Sequence, residues 1–462
     1  MSEPSILSSD SSQAVNSPLS KSRRLLIVGA VIMALVAVGA VVKTSGGVGG
    51  SRSGTIASNL GENSRLAAGN EHVCTIRADS TVWCWGKGYY GELGVEETYR
   101  LPPQLLTSTP VQVPTSDVSD ARSLAAGLNH TCALLNDGRV KCWGRNDSWQ
   151  TNSYPGDPWA PTFVKVGCCS AADADPLENV KAIAAGDNHT CALKNDGGVS
   201  CWGKNNKGQL GRGYTDPPLR NITNEASRVL LDNSNPFSPV SLKNVVAISA
   251  AGDHTCALLS DTSVKCWGGG EYGALGNGES KDSSLPVSVH KSLTDESNLV
   301  DVASLAVGSR HTCILNTSGR ASCWGSNVWG QLGNNPLAGT TAFSLKKAPV
   351  EVDSDDEFSN IATSSFTTCA ILKSTKAVQC WGLNYSGQVG DGTVINRQQP
   401  VNVEGDGNYN VELALGKAFS CSLASTQAIR CWGDNSEGQL GNGTTNYSTT
   451  NYRNTAGFVI FP

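Results

Sequence analysis

The stretch HTCALLNDGRVKCWG, His130–Gly144, sets two cysteines ten positions apart on either side of an Asn-Asp-Gly turn. Two apolar runs of strand length joined by such a turn read as a β-hairpin. Pairing them about Asp137 puts Cys132 opposite Cys142 and Leu134 opposite Val140. Directly opposed Cβ atoms lie about 4.5–5.5 Å apart, close to what a disulfide needs. A second reading competes. His130 and Cys132 are two apart and share a strand face with Cys142, which offers three ligands suited to zinc.

The stretch is one of seven copies. Aligning on Cys-Trp-Gly finds Trp85, Trp143, Trp202, Trp267, Trp324, Trp381 and Trp432, spaced by 58, 59, 65, 57, 57 and 51 residues. Each has its own cysteine pair: Cys74 with Cys84, Cys132 with Cys142, Cys191 with Cys201, Cys256 with Cys266, Cys313 with Cys323, Cys369 with Cys380, and Cys421 with Cys431. Each unit also carries a Pro-Val-x-Val-like piece (PVQV at 110, PVSL at 239, PVSV at 286) and a small apolar piece ending in glycine, such as IAAG, Ile183–Gly186. Four strand-length pieces recurring every fifty to sixty residues describe a β-propeller blade. Their apolar faces suit blades sandwiched between neighbours. The first unit begins at Arg65–Gly69 without a preceding Pro-Val piece, and FVIF, Phe458–Phe461, is left over at the end. The expectation is an all-β, seven-bladed propeller of four-stranded blades over residues 64–462, its first blade completed by the C-terminal strand.

The residues that recur (Ala185–Thr190, Trp202-Gly203 and Gly208–Gly211) resemble the regulator of chromosome condensation repeat family. The resemblance covers residues 64–462 and implies the same seven-bladed fold. Blade two departs from Gly-Gln-Leu-Gly with Trp149-Gln150-Thr151, and blades six and seven replace the histidine by Thr367 and Phe419. The paired hairpin cysteines are a specialisation within that family.

Those two blades decide between zinc and disulfide, since they lose the histidine and keep both cysteines. The fourteen hairpin cysteines are therefore assigned to disulfides, each worth about 2–3 kcal/mol by loop entropy. Cys168-Cys169 remain, to bond one another as a vicinal bridge, to bond another chain or to stay free. Their loop runs 22 positions from Val164 to Gly186, against 12 from Val240 to Gly252. Gly213 to Ser238 reads as the longest connection.

The cysteine count also bears on compartment, because disulfides persist in oxidising spaces. Residues 1–24 form a Ser-rich tail ending in Lys21, Arg23 and Arg24. Leu25 to Val42 is eighteen residues without a charge, long enough for a single transmembrane helix or signal anchor. The basic flank places the N-terminus in the cytoplasm and the propeller outside. Cleavage near Ala40 would instead make the protein secreted. Residues 43–63 read as a flexible linker.

Among 462 residues, 50 are glycine and 16% are charged, with a formal net charge of −5. That balance gives no basic footprint for nucleic acid. The sequence shows no nucleophile–base pair, phosphate loop or metal cluster, so no catalytic residue, metal or cofactor is assigned. His72, His130, His189, His254 and His311 share one repeat position and are expected to hydrogen-bond backbone near the preceding turn. The repeat tryptophans are expected to anchor packing between blades. Trp149, Trp159 and Trp329 fall in loops and are the candidate binding-rim residues. The family's plant ultraviolet-B photoreceptor uses tryptophans in a G-W-R-H-T motif; here Asn70, Leu128, Asp187 and Ser309 occupy those positions. The resulting expectation is a non-enzymatic, membrane-tethered scaffold binding a protein or glycan through one rim. Resemblance supplies two alternatives, a guanine nucleotide exchange factor for a small GTPase and a secreted enzyme inhibitor of this fold.

Overall fold

The structure is a computed structural model that describes residues 63–95, 106–152, 160–166, 175–216, 226–235, 237–334, 345–445 and 452–462. Residues 1–62, with the expected span Leu25 to Val42, lie outside the described residues, as do Trp159, Cys168 and Cys169. Among the described residues, no helix is long and apolar enough to cross a membrane.

The seven repeats form seven four-stranded antiparallel sheets. Blade one consists of Leu66–Ala68, His72–Ile76, Val82–Lys87 and Leu106–Gln112, from the axis outward. The inner strands of blades two to seven are Ala121–Ala126, Val180–Ala185, Val245–Ala251, Val302–Val307, Phe358–Thr363 and Asn410–Leu415. In every blade the second and third strands are the cysteine hairpin. Its register is the one expected, with Cys132 opposite Cys142 and Leu134 opposite Val140. The same pairing recurs in the other blades, as in Cys191 opposite Cys201, Cys313 opposite Cys323 and Cys421 opposite Cys431.

The outer strands correct the sequence reading. Outside blade three, each Pro-Val piece belongs to the blade before it, pairing with that blade's Cys-Trp-Gly strand: Cys84 lies opposite Val111, Cys266 opposite Val287 and Cys380 opposite Val401. Blade one therefore lacks nothing. The C-terminal strand, Tyr452–Phe458, pairs with Ile429–Asp434 and completes blade seven, not blade one. Among the described residues no strand is exchanged across the ring, and side chains add to the main-chain bonds that join blades seven and one. Val459 is buried with Leu66, Val73, Trp85 and Phe419 in one cluster. Phe461 meets Trp83 and Trp85 edge-on, with centroids 6.0 and 6.2 Å away. The buried Glu412 carboxylate of blade seven accepts hydrogen bonds from the Ser64 hydroxyl and from the amides of Arg65 and Leu66. Burial pushes that carboxyl up to about 6.

Blade three is the other departure. Its outer strand is the two-residue Ser227–Arg228, and PVSL forms an added hairpin, Val240–Ser241 against Leu230–Asp232. Gly213 to Ser238 is thus not one connection, because it contains a strand and half a hairpin.

One joint is repeated around the ring. The indole N–H of each Cys-Trp-Gly tryptophan donates to a main-chain carbonyl in the Gly-Gln-Leu-Gly turn of the preceding blade: Trp143 to Glu92, Trp202 to Gln150, Trp267 to Gln209, Trp324 to Ala274, Trp381 to Gln331 and Trp432 to Gln388. Trp85 to Gln439, at 2.9 Å, closes the circle. These tryptophans are at most 1% exposed, so each buries its ring and satisfies its donor together. Blade two keeps the turn without its glycines, since Trp149 (φ 63°) and Asn152 (φ 56°) adopt the left-handed backbone themselves, at a cost of about 1–2 kcal/mol each.

Candidate functional site

Alternating strands sort the loops onto two faces. The hairpin face carries the cysteine-hairpin turns and the links between blades. The opposite face carries the loops after the inner strands and the Gly-Gln-Leu-Gly turns.

The hairpin turns satisfy themselves. The Asp79 carboxylate accepts from the Thr81 amide, Asp137 from Arg139 and Asp261 from Ser263. The fourteen hairpin cysteines stand in seven disulfides: Cys74 with Cys84, Cys132 with Cys142, Cys191 with Cys201, Cys256 with Cys266, Cys313 with Cys323, Cys369 with Cys380, and Cys421 with Cys431. Their Cα atoms lie 4.0–4.1 Å apart, and none of these cysteines is more than 1% exposed. They are staples beneath the surface.

The repeat histidines are not ligands either, and their partner differs from the backbone group expected. Each Nε2 meets the hydroxyl of a threonine in the next blade: His72 with Thr131, His130 with Thr190, His189 with Thr255, His254 with Thr312 and His311 with Thr368, at 2.8–3.0 Å. The hydroxyls of Thr131, Thr190, Thr312 and Thr368 donate in turn to the carbonyls of residues 92, 150, 274 and 331, so each must accept from the ring nitrogen. Burial holds these imidazoles neutral, pushing each down to about 3.

The opposite face opens into an axial funnel of about 570 Å³. The residues that follow each small apolar piece line it, among them Asn70, Leu128, Asp187, Asp253, Arg310 and Lys417. Main-chain bonds tie neighbouring loops together, Asn70 N–H to Leu128 O, Leu128 N–H to Asp187 O and Asp187 N–H to Gly252 O, and Lys417 N–H to Asn70 O links blade seven to blade one. Burial, then the Asp253 carboxylate, pushes the Asp187 carboxyl up to about 6. Lys204 lies 3.7 Å from Asp253. Across blades four to six the wall turns aromatic. The Arg310 guanidinium lies over Tyr272 and Phe366, at 4.9 and 5.5 Å. In the turns of the same face, outside the funnel lining, Trp329 packs edge-on against Tyr385 at 5.3 Å, and Tyr385 is 60% exposed.

Of the candidate rim residues, Trp329 falls on this face beside an exposed aromatic partner. Trp149 is half-buried and occupies a glycine position of its turn. Arg310, Tyr272, Phe366 and Tyr385 were missed. Their one signal is positional, since Arg310 and Phe366 follow the inner strands and Tyr272 and Tyr385 stand in the turns before Gly273 and Gly387. Among the described residues, no three His, Cys, Asp or Glu side chains are grouped to hold a metal.

A seven-bladed ring with self-satisfied hairpins on one face and an arginine–aromatic funnel on the other defines a repeat propeller built for contact. The chain belongs to the RCC1-like domain family, whose model matches residues 164–459, with the regulator of chromosome condensation (RCC1) repeat matched at 64–92, 79–134 and 121–150. It is 29% identical over 381 residues to the ultraviolet-B receptor UVR8 of Arabidopsis thaliana, covering 82% of this chain and 78% of that protein. It is 26% identical to the human E3 ubiquitin-protein ligase HERC2 over 79% of its own length, but spans only 7% of HERC2. The fold matches yeast RCC1 (Prp20) bound to Kap60, with TM-score 0.62 and 23% identity over 78% of this chain and 81% of that one. Human WBSCR16 matches with TM-score 0.60 and 22% identity, over 78% and 85%.

Proposed function

We propose that this chain is an exported, membrane-tethered scaffold that holds a partner protein on its funnel face, with Arg310 and the Trp329–Tyr385 pair as anchors. The observation that carries the reading is an exposed Arg310 stacked on Tyr272 and Phe366 in the funnel, with the Trp329–Tyr385 pair in turns of the same face, because Arg, Trp and Tyr dominate binding energy at interfaces. Arg310 is already oriented by two rings and makes no ion pair among the described residues, so a partner's carboxylate meets a preorganised guanidinium. The export part rests on the apolar run Leu25 to Val42, its basic flank and seven disulfides. UVR8 is a receptor by name, and the similarly folded Prp20p of Saccharomyces cerevisiae binds Gsp1p and histones; both accord with recognition rather than chemistry.

The test is cross-linking on intact cells with the full chain, using a cell-impermeant reagent, followed by identification of the captured protein. Trp329→Ala with Tyr385→Ala should weaken capture by about thirtyfold, the size of an interface hot spot, while Trp149→Ala leaves it intact. Capture insensitive to the funnel variants would remove the anchor assignment. Capture of a cytoplasmic small GTPase, with the propeller shielded from the reagent, would replace the whole reading by the exchange-factor alternative.

A further inference from the structure

Six Asn-x-Ser/Thr triplets fall among the described residues, at Asn129, Asn146, Asn188, Asn316, Asn384 and Asn442. Such a triplet is a glycan acceptor only where the chain is exported and the asparagine lies at the surface. The structure separates the six sharply.

Three are tied to the interior through the asparagine or its hydroxyl partner. Asn129 is buried, and the hydroxyl of its Thr131 is committed to Glu92 O and His72. The Thr190 hydroxyl of the Asn188 triplet is likewise committed to Gln150 O and His130. Asn384 is 0% exposed, and its amide nitrogen donates to Asp391 Oδ1 and to the carbonyls of Thr393 and Ile395. Asn146 spends its amide oxygen on the Thr151 N–H, away from its own Ser148.

Asn316 and Asn442 differ from all four. The Asn316 amide oxygen accepts the Ser318 N–H at 3.1 Å and the Ser318 hydroxyl at 2.7 Å. The Asn442 oxygen accepts the Thr444 N–H at 3.1 Å and the Thr444 hydroxyl at 2.8 Å. Ser318 and Thr444 are exposed. This local turn folds the hydroxyl onto the amide of its own triplet and needs no tertiary partner. The hydroxyl polarises the amide oxygen, and the amide nitrogen of each half-buried asparagine has no acceptor among the described residues.

We propose that Asn316 and Asn442 are N-glycosylation sites. The co-reactant is an oligosaccharide carried on a lipid pyrophosphate. The amide nitrogen forms the bond to the first sugar's anomeric carbon and sheds one proton, while the carbon–oxygen bond to the pyrophosphate breaks and the lipid pyrophosphate leaves with the electron pair. No oxidant or reductant takes part. Asn316 sits on a hairpin turn of blade five and Asn442 beyond the turn of blade seven, so both glycans leave the aromatic sector of blades four to six uncovered. The proposal rests on the export reading.

The experiment expresses the full chain in cells whose secretory lumen N-glycosylates, with Asn221→Gln and Asn446→Gln removing the triplets outside the described residues. Treatment with a glycan-releasing amidase that hydrolyses the side-chain amide and converts glycosylated Asn to Asp should lower the apparent mass by two glycans. Peptide mass spectrometry should place Asp at 316 and 442, with Asn129 and Asn384 unconverted. Asn316→Gln and Asn442→Gln should each remove one step. Absence of glycan at both sites, or conversion at Asn129 or Asn384 in their stead, overturns the proposal. A cell-impermeant protease run in parallel separates the causes: a surface-exposed but unmodified propeller sinks the glycan sites alone, whereas a protected, unmodified one sinks the export reading as well.

Discussion

Replacing Glu92 by glutamine should stabilise the propeller above neutral pH and lose that advantage in acid. Glu92 occupies the turn position filled by Gln150, Gln209, Gln331, Gln388 and Gln439 in other blades. Those glutamines accept a main-chain N–H two residues upstream through their amide oxygen, as Gln209 does from Lys207, and some donate through the nitrogen, as Gln209 does to Asp253. Glu92 makes the first bond, from Tyr90 N–H at 2.8 Å, but cannot make the second while ionised. It is 0% exposed, and burial pushes its carboxyl from 4.5 up to about 7. A raised acid pKa means the folded state holds a proton that the unfolded state has released. The associated stability is fully present below pH 4.5 and is lost as pH rises through 7. At about 1.4 kcal/mol per pH decade the loss approaches about 3 kcal/mol, or a few degrees in Tm for a chain of this size (about 4 °C). The five buried histidines act in the opposite sense, since their depressed pKa values remove stability as pH falls below 6.5. The wild-type profile alone is therefore uninformative, and the readout is the Tm of Glu92→Gln minus that of wild type. That difference should grow by about 3–5 °C between pH 4.5 and pH 8. A difference that stays flat, or a variant less stable at pH 8, would refute the assignment of Glu92 as an ionised replacement for glutamine.

Other outcomes follow from the same geometry. Converting Cys132 and Cys142 together to serine should cost about 2–3 kcal/mol and raise hydrogen exchange mainly in blade two, while non-reducing peptide maps retain the other six pairs; exchange between blades in those maps would contradict the pairing. Phe461→Ala should cost about 1–3 kcal/mol for a half-buried ring, with hydrogen-exchange protection falling first in blades seven and one, since Phe461 covers Trp83 and Trp85 at their joint. Arg310→Ala should leave stability within about 0.5 kcal/mol of wild type, measured by thermal unfolding, because the Arg310 side chain is exposed and lies over two aromatic rings.

The blade count and the cysteine pairing were legible because both are local. A hairpin fixes its own register, and seven copies average away exceptions such as Trp149-Gln150-Thr151. Strand ownership was not local. The outer strand pairs across a connection of some twenty residues in blade one, Lys87 to Leu106, and nothing in PVQV says which neighbour it joins. In blade three the Pro-Val signal marks an added hairpin, while the true outer strand, Ser227–Arg228, has no apolar pattern. The histidines failed in a similar way, since their partners lie 57 to 66 positions away in the next blade. The funnel was invisible for a further reason. Its floor is the recurrent Ala-Gly of each repeat, but its chemistry comes from the residues just after it and from the turns, where the repeats agree least.

The seam between blades seven and one provides the sharpest check on this joint-by-joint reading. Five joints use a histidine in one blade and a threonine hydroxyl in the next. At the seam the histidine position holds Phe419, and the position matching Thr131 in blade one holds Val73. Both are at most 1% exposed and lie in one cluster with Trp85. The polar pair has thus been replaced on both sides by an apolar pair, which is neutral to stability in a way that changing either side alone is not. Phe419→His should therefore cost about 1–3 kcal/mol, because its ring nitrogen would face Val73 with no acceptor or donor. Adding Val73→Thr supplies the hydroxyl, and the carbonyl of Gln439, already the acceptor for Trp85, can take its proton as the Glu92 carbonyl does from Thr131. The double variant should recover at least about 1 kcal/mol over the sum of the two single changes in denaturant unfolding, the coupling expected of residues in direct contact. Additive costs would mean that the seam does not share the geometry of the other joints at this pair.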